Sequence, residues 1–301
     1  MATTAQRQSS IPAHTAHDAR RARIGRNALQ WLIYALLLFG ALIFFVPFYW
    51  VVTASFKTAA ELRSIPPTWW PETFTLANYP EVWRTEFARY FLNSFIYSGG
   101  STLLILFTSS VIGFVLVKDP SRLGNMAFWF ILASTMVPFV TYLLPLFNML
   151  LRLERWTHIP FINTYQGMIL PWTVFPFGVF LMRQAMMAVP SDLLDAARID
   201  GASEFNIYRK VVLPLVSSNM AALAIIVFIF KYDDLLWPLV VAQRTEMYPV
   251  TVGLVEYVGQ FFIEYNLYTT AAVLAIIPVF VIYLILQRFI IEGIALQGMK
   301  G

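Results

Sequence analysis

Residues 90–117 read YFLNSFIYSGGSTLLILFTSSVIGFVLV, a stretch without a single Asp, Glu, Lys or Arg. At the rise of an α-helix it would be about 42 Å long, more than the roughly 30 Å hydrocarbon core of a bilayer. Its apolar residues do not alternate as those of a barrel strand do, so the segment predicts a membrane-spanning helix. Five further charge-free runs surround it. One runs from Asn27 to Phe56, densest from Leu29 to Val52, and another from Leu123 to Leu151. The next begins at His158 and reaches Met182, and the last two are Val211 to Phe230 and Tyr265 to Gln287. The expectation is an all-α membrane protein with six transmembrane helices. Pro47, Pro138, Pro145, Pro171, Pro176 and Pro278 fall inside these runs, where they mark kinks or places at which neighbours satisfy the backbone. The apolar patch Leu235 to Gln243 is too short to cross and reads as an interfacial or re-entrant piece.

Composition agrees. Of the 301 residues, 58% are hydrophobic and 13% charged, against about 45–50% and 25% in an ordinary soluble domain. Too little polar surface remains for a soluble enzyme, and disorder requires the opposite balance. The chain has no cysteine, which removes disulfide scaffolds and thiolate metal sites. The net charge of +4 follows topology and gives no reason to expect nucleic acid. Arg7, Arg20, Arg21, Arg23 and Arg26 crowd the N-terminal tail. With that tail in the cytoplasm, the loops after spans two and four and the C-terminal tail share a basic excess, while the opposite side is slightly acidic. Both termini are therefore expected in the cytoplasm, with the tail drawn to anionic lipid headgroups. Residues 1–27 read as a disordered basic tail and 28–301 as the membrane domain. No cleavable signal peptide is expected, and the two halves show no inverted repeat.

The connection from Arg183 to Lys210 is too long for a helix–helix turn and too patterned for disorder. Ser191 can cap a short helix with Asp192 favouring its N-terminus, continuing through Asp195, Ala196, Ala197 and Arg198. Gly201 suits the left-handed residue after its end. Ser203 can cap a second helix carrying Phe205, Tyr208 and Val212 on one face, and Pro214 marks entry into span five. Two readings are open. One is a surface linker in which Asp195 and Arg198 pair locally. The other is a helix–Gly–helix knob presented to a soluble partner.

The string Asp195-Ala196-Ala197-Arg198-Ile199-Asp200-Gly201-Ala202, followed by Val211-Val212-Leu213-Pro214, closely resembles the EAA loop of type I ABC importer permeases. Asp195 replaces the usual Glu and Val211 the usual Ile. Ser55-Phe56-Lys57, Pro67 to Pro71, Phe74 to Tyr79, Phe91-Leu92-Asn93-Ser94, Phe228 to Leu239 and the tail Met299-Lys300-Gly301 are similar to the smaller, six-span permease of the maltose- and glycerol-phosphate-type branch. Where that branch usually carries Trp-Asn, this chain has Tyr232-Asp233.

The resemblance implies a type I ABC transmembrane domain with its core at about 90–288 and a coupling loop at about 190–214. It implies a permease subunit in the cytoplasmic membrane moving a carbohydrate or related polar solute by alternating access. Its partners would be a second homologous permease, two ATPase subunits and an extracytoplasmic solute-binding protein. Asp195 would pair with a basic residue of the ATPase groove, Ala196 and Ala197 would permit close approach, and Gly201 would form the bend. Asp200, Ala202, Leu213 and Pro214 complete the motif.

The residues themselves supply no ATPase. Of the five lysines only Lys57 precedes a Ser or Thr, and no Gly-rich run precedes it, so ATP and Mg are expected on a partner chain. No catalytic residue is expected. His14, His17 and His158 have no metal-ligand partner at suitable spacing, so no metal site is expected. Lys231, Asp233 and Asp234 after span five read as solvated or locally paired. Trp31, Trp50, Trp69, Trp70, Trp83 and Trp237 suit an aromatic belt at span ends. Tyr142, Asn148 and Trp172 are the candidates for lining a translocation path, since sugars are held by aromatic faces and hydrogen bonds. The runner-up, an ion-coupled secondary carrier working without an ATPase, lacks the paired intramembrane carboxylates it would need. A membrane-embedded enzyme lacks clustered catalytic groups.

Overall fold

A computed structural model describes residues 13–258 and 264–298, with side chains 13–26, 28, 286 and 288–298 outside the description. The chain divides after Thr53 into two units. The first is helix α1 (Ala13–Ala54) up to that boundary, of which Leu29–Ala54 is long and apolar enough to cross a membrane. A disordered tail was expected over 1–27, but α1 extends back to Ala13. Residues 13–26 are rich in Ala and Arg, both strong helix formers, and a helix already nucleated in the span propagates into them cheaply. Residues 1–12 lie outside the described part.

The second unit begins with α2 (Ala59–Leu62) and α3 (Asn78–Arg84), then the long α4 (Phe87–Lys118). After it come α5 (Arg122–Ala133), α6 (Phe139–Thr157), α7 (Tyr165–Ile169) and α8 (Pro176–Met187). The loop helices α9 (Ser191–Ile199), α10 (Glu204–Ile207) and α11 (Leu213–Leu215) lead into α12 (Ser217–Tyr232). The chain closes with α13 (Leu236–Val241), α14 (Val250–Glu256) and α15 (Tyr265–Gly298).

Among the described residues only three helices are straight candidates for crossing: Leu29–Ala54, Phe87–Lys118 and Tyr265–Ile285. The other three expected spans are broken, and six crossings result if each bent pair counts as one. Arg122–Met136 and Phe139–Thr157 meet at 106°, Tyr165–Trp172 and Pro176–Met187 at 47°, and Glu204–Leu215 and Ser217–Tyr232 at 76°. Proline explains the first two. Val137 (φ −86°, ψ 116°) precedes Pro138 and Phe175 (φ −109°, ψ 103°) precedes Pro176, and the proline ring drives the preceding residue out of the helical region. In the third pair a π-helical turn at Tyr208–Val212 and Pro214 intervene, so the fifth straight segment starts at Ser217 rather than at Val211. The patch from Leu235 holds α13, too short to span, with Trp237, Pro238 and Val241 buried.

Helix α4 shows why a soluble reading fails. Its buried face carries Asn93, Ser94, Ser98, Ser101, Ser109 and Ser110, while Leu92, Leu103 and Phe107 are exposed. Small hydroxyl residues let helices approach closely in lipid, where apolar side chains gain nothing by turning inward. Ser98 and Thr102 satisfy their hydroxyls on the carbonyls of Ser94 and Ser98, at 2.6 and 2.7 Å, as hydroxyls in helices commonly do.

The motifs at the two ends of the fold turn out to be polar anchors. Asn78 donates to the carbonyls of Ser55 and Lys57, both at 2.9 Å, and its Oδ1 accepts from Asn266 of α15 at 3.0 Å. Asn93 donates to the carbonyls of Glu246 and Tyr248, while Ser94 Oγ accepts from the Val250 amide at 2.8 Å. Tyr232 donates to the Ala275 carbonyl at 3.2 Å, a tie to α15 made by the residue that departs from the usual Trp.

Glu61 organises the loop after α1. Its carboxylate accepts from the Thr68 hydroxyl at 2.7 Å and from the amides of Glu72 and Thr73 at 3.0 and 3.5 Å. Partial burial pushes its pKa up, but those hydrogen bonds and Lys57 outweigh it and leave the group below the ordinary glutamate value. A lowered folded-state pKa contributes stability above the unfolded value and loses it as pH falls through the folded one. Hydrogen exchange should therefore find the Glu72 and Thr73 amides protected at neutral pH and losing protection below the ordinary Glu range, while Glu61→Gln abolishes that pH dependence.

Candidate functional site: the loop from α9 to α11

Helix α9 starts one residue earlier than its sequence suggests. Pro190 occupies the N-cap, without a side-chain bond, and Ser191 is the first helical residue. Proline's fixed φ suits entry to a helix, which displaces Ser191 from the capping role expected of it. The other end is as expected. Asp200 is the C-cap and Gly201 follows at φ +78°. The Gly201 amide bonds the Arg198 carbonyl and the Ala202 amide bonds the Ala197 carbonyl, both at 3.0 Å. These are the two reverse bonds of a Schellman ending. Ser203 then caps α10, accepting from the Asn206 amide at 3.4 Å.

The two faces of α9 differ. Leu194 and Ala197, with Ala202 and Leu213, pack on a core of Ile105, Met182, Met186, Ile207, Tyr208 and Val212. Asp195, Ala196, Ile199 and Asp200 point the other way, and Ile199 is 86% exposed. Phe205, expected beside Tyr208 and Val212, is also exposed. Its ring still lies 6.4 Å from that of Tyr208, whereas Val212, beyond the π-helical turn, is buried in the core. The motif thus splits: Ala197, Ala202 and Leu213 join loop to bundle, while Asp195, Ala196 and Asp200 form the outward edge. Pro214 is exposed at the bend into α12.

Ionic and polar ties fix the loop's attitude. Arg198 meets Asp195 at 2.6 Å and Glu204 at 3.3 Å, and Glu204 also meets Lys118, at the end of α4, at 3.5 Å. The Asp195 and then Glu204 carboxylates hold the Arg198 guanidinium above its ordinary pKa. All four groups are well exposed, so each pair contributes little alone, but the chain of charges orients α9 against α4. Deeper in, the Tyr208 hydroxyl lies 2.7 Å from Ser110 Oγ. Asp195 therefore pairs locally, as the surface-linker reading has it, and also stands on the exposed edge.

Of the path candidates, Tyr142 and Trp172 come together through Phe139. The Phe139 ring lies 5.2 Å from Tyr142 and 5.4 Å from Trp172, and Trp172 is 6.4 Å from Trp237. Asn148 is exposed farther along α6 and joins no contact of this row. A cleft of about 680 Å³ is lined by Phe147, Leu151, Glu154, Asn163 and Arg244 among others, and Asn148 is not part of its lining. Lys231 meets one of the two alternatives read for it. It is not solvated but fully buried, with the centroid of the Trp172 ring 2.8 Å from its Nζ, and it is locally paired, 3.6 Å from Asp234 Oδ2 three residues on. Trp237 is likewise buried, its indole N–H donating to the Met168 carbonyl at 3.1 Å, rather than standing in an aromatic belt. His158 ends α6 in the left-handed conformation.

Comparison with known proteins bears on this arrangement directly. The chain is 34% identical, over 91% of its length and 97% of the relative's, to the arabinooligosaccharides transport system permease protein AraQ of Halalkalibacterium halodurans. It is 30% identical, over 87% of its length and 94% of the relative's, to the sn-glycerol-3-phosphate transport system permease protein UgpE of Escherichia coli O1:K1 / APEC. Among solved structures, a bacterial ABC transporter involved in import of the acidic polysaccharide alginate superposes with a TM-score of 0.77. That match is 19% identical and covers 87% of this chain and 97% of the other; it shows the fold, the transmembrane domain of an ABC importer. The family of binding-protein-dependent transport system inner membrane components matches residues 105–295. That span takes in the C-terminal part of α4, the bent helices and the whole of the α9–α11 loop. An all-helical fold, a loop rooted in the bundle with one edge free, and a family match across both have one explanation: the chain belongs to the inner membrane components of binding-protein-dependent ABC transport systems.

Proposed function

We propose that this chain is a permease subunit of an ATP-driven importer for a carbohydrate or related polar solute, working by alternating access in the cytoplasmic membrane with both termini in the cytoplasm. The observation that carries the reading is the division of α9 into an inward face packed on the bundle and an exposed edge of Asp195, Ala196, Ile199 and Asp200. Such a helix can be pushed from outside and moves the packed helices with it, a rigid-body switch between two states. The partners are an extracytoplasmic solute-binding protein, a second homologous permease and two ATPase subunits that carry ATP and Mg. This chain contributes no catalytic residue of its own. The relatives' solutes, an arabinooligosaccharide and a glycerol phosphate, support the solute class, and Tyr142 and Trp172 are the proposed path residues.

Purification of the tagged chain in mild detergent, with partners identified by mass spectrometry, tests the assembly. An ATPase and a second permease in stoichiometric yield support it. A homodimer without ATPase, with uptake abolished by a protonophore, would favour the gradient-coupled carrier instead. Within the assembled complex, Asp195→Lys should lower ATP-dependent uptake roughly tenfold, since it reverses the charge of the exposed edge and sets a second cation beside Arg198. Asp195→Glu, which restores the usual residue, should retain uptake.

A further inference from the structure

Lys231 lies near the end of α12 with no side-chain exposure. Its Nζ lies 2.8 Å from the centroid of the Trp172 ring and 3.6 Å from Asp234 Oδ2, and among the described residues it has no hydrogen-bond partner. The ring and the carboxylate compensate its charge, but they leave its N–H donors unused. An ammonium buried that way is costly, and ionisable groups at membrane depth mark solute or ion pathways by default.

Asp234 is held in place beside it. Its Oδ2 accepts from the Tyr97 hydroxyl at 2.7 Å, and its Oδ1 is 3.5 Å from the Trp237 amide. Its side chain is 12% exposed, at the break between α12 and α13. Unsatisfied donors therefore stand next to a carboxylate with spare lone pairs and an open edge. The aromatic row from Trp172 through Phe139 leads out to Tyr142, which is 37% exposed. A sugar ring matches each part: a hydroxyl can accept from the ammonium and donate to the carboxylate, while the C–H face rests on an aromatic ring.

The charges choose among sugars. Lys231 is answered by Asp234, and Asp233, the next carboxylate, is exposed at the same break. The local sum is one negative charge, which repels a carboxylate or a phosphate ester and does not repel a neutral hydroxylated ring.

We infer that Lys231 and Asp234, beside Trp172, form a hydroxyl-recognition subsite on this chain for a neutral sugar ring, an inference that rests on the carbohydrate reading above. The test uses the complete importer, with binding protein, reconstituted in proteoliposomes. One probe is a mixture of neutral arabino-, xylo- and malto-oligosaccharides and the other is a mixture of oligogalacturonides, with lumenal contents read by mass spectrometry. Wild type should accumulate a neutral component and not the acidic ones. Lys231→Met and the charge-balanced Lys231→Met/Asp234→Asn should both raise KM for that component roughly tenfold, with binding-protein-stimulated ATP hydrolysis changed less than about twofold. The double variant carries no orphaned charge, so it keeps the test valid if the single variant fails to assemble. Wild-type KM in the double variant would reduce the pair to a structural tie and overturn the subsite. Preferential accumulation of oligogalacturonides by wild type would overturn the choice of a neutral ring. A complex that hydrolyses ATP in response to its binding protein yet accumulates no saccharide would overturn the carbohydrate reading together with the subsite.

Discussion

Gly201→Val is expected to lower solute uptake and binding-protein-stimulated ATP hydrolysis roughly tenfold or more, while the amount of inserted protein stays near wild type. Gly201 adopts φ +78°, and a Cβ built there meets nothing within 4 Å. The cost is therefore one of backbone conformation, about 1–2 kcal/mol for an L-residue in the left-handed region, and higher for a β-branched one. Releasing that strain breaks the two reverse bonds, from Gly201 to Arg198 and from Ala202 to Ala197. Ala202 then leaves the core that also receives Ala197 and Leu194, and the exposed edge of α9 loses its fixed attitude. The damage stays local because α9 has no fully buried residue. Gly201→Asn separates conformation from the mere presence of a side chain, since Asn tolerates this region better than other non-glycine residues. It should keep most of the activity. Equal uptake by the Val variant and wild type, measured in vesicles with matched protein content, would show that the bend does not transmit force.

Gly167→Ala is expected to have the opposite profile, a loss of protein rather than of coupling. A Cβ at Gly167 would lie 1.8 Å from the Phe161 carbonyl oxygen and 2.7 Å from its carbon. Those are backbone atoms, and the backbone there is pinned. Glu154 Oε2 accepts from the amides of Phe161 and Ile162 at 2.9 and 3.0 Å. Asn163 is held at φ +57°, its Oδ1 accepting from the amides of Gln243 and Arg244 at 2.6 and 2.8 Å. One methyl group must displace this whole corner, so the overpacking cost should reach or exceed about 3 kcal/mol. Membrane yield should fall several-fold, and the melting temperature in detergent should drop. Gly99→Ala in α4 is the control: its Cβ meets nothing within 4 Å, and the change should be neutral or slightly stabilising. A Gly167→Ala protein as abundant and as heat-stable as wild type would mean that the 158–164 turn yields more easily than its hydrogen bonds imply.

Much of the α9–α11 loop is legible from local sequence. Gly201 in the left-handed conformation, Ser203 as a cap and Asp195 beside Arg198 depend on contacts within a few residues, and those are dictated by side-chain chemistry at short range. Ser191 misleads because Pro190, one position earlier, competes for the same N-cap, and ring geometry prevails over a hydroxyl. Phe205 does meet Tyr208, as the spacing implies, but it stays exposed while Tyr208 and Val212 are buried. The motifs Asn78-Tyr79 and Asn93-Ser94 can be noticed in the sequence. Their use cannot, because Asn266, Glu246 and Val250, which tie them to the C-terminal part of the fold, lie more than a hundred residues away.

The sequence by itself determined that this is a helical membrane protein, and which stretches enter the bilayer. A charge-free run of sufficient length has only one way to satisfy its backbone in hydrocarbon. It also determined the end of α9 and the start of α10, whose turn chemistry is local. Tertiary structure decided whether a run crosses straight or broken, because a proline's kink angle depends on what the freed carbonyls and the next helix pack against. It decided the inward and outward faces of α9 as well, since Ala196 and Ala197 differ only in what stands opposite them. Above all it decided Lys231. At the end of an apolar run a lysine reads as solvated or locally paired, and only the Trp172 ring, brought onto its Nζ from a distant part of the chain, puts it in the dark.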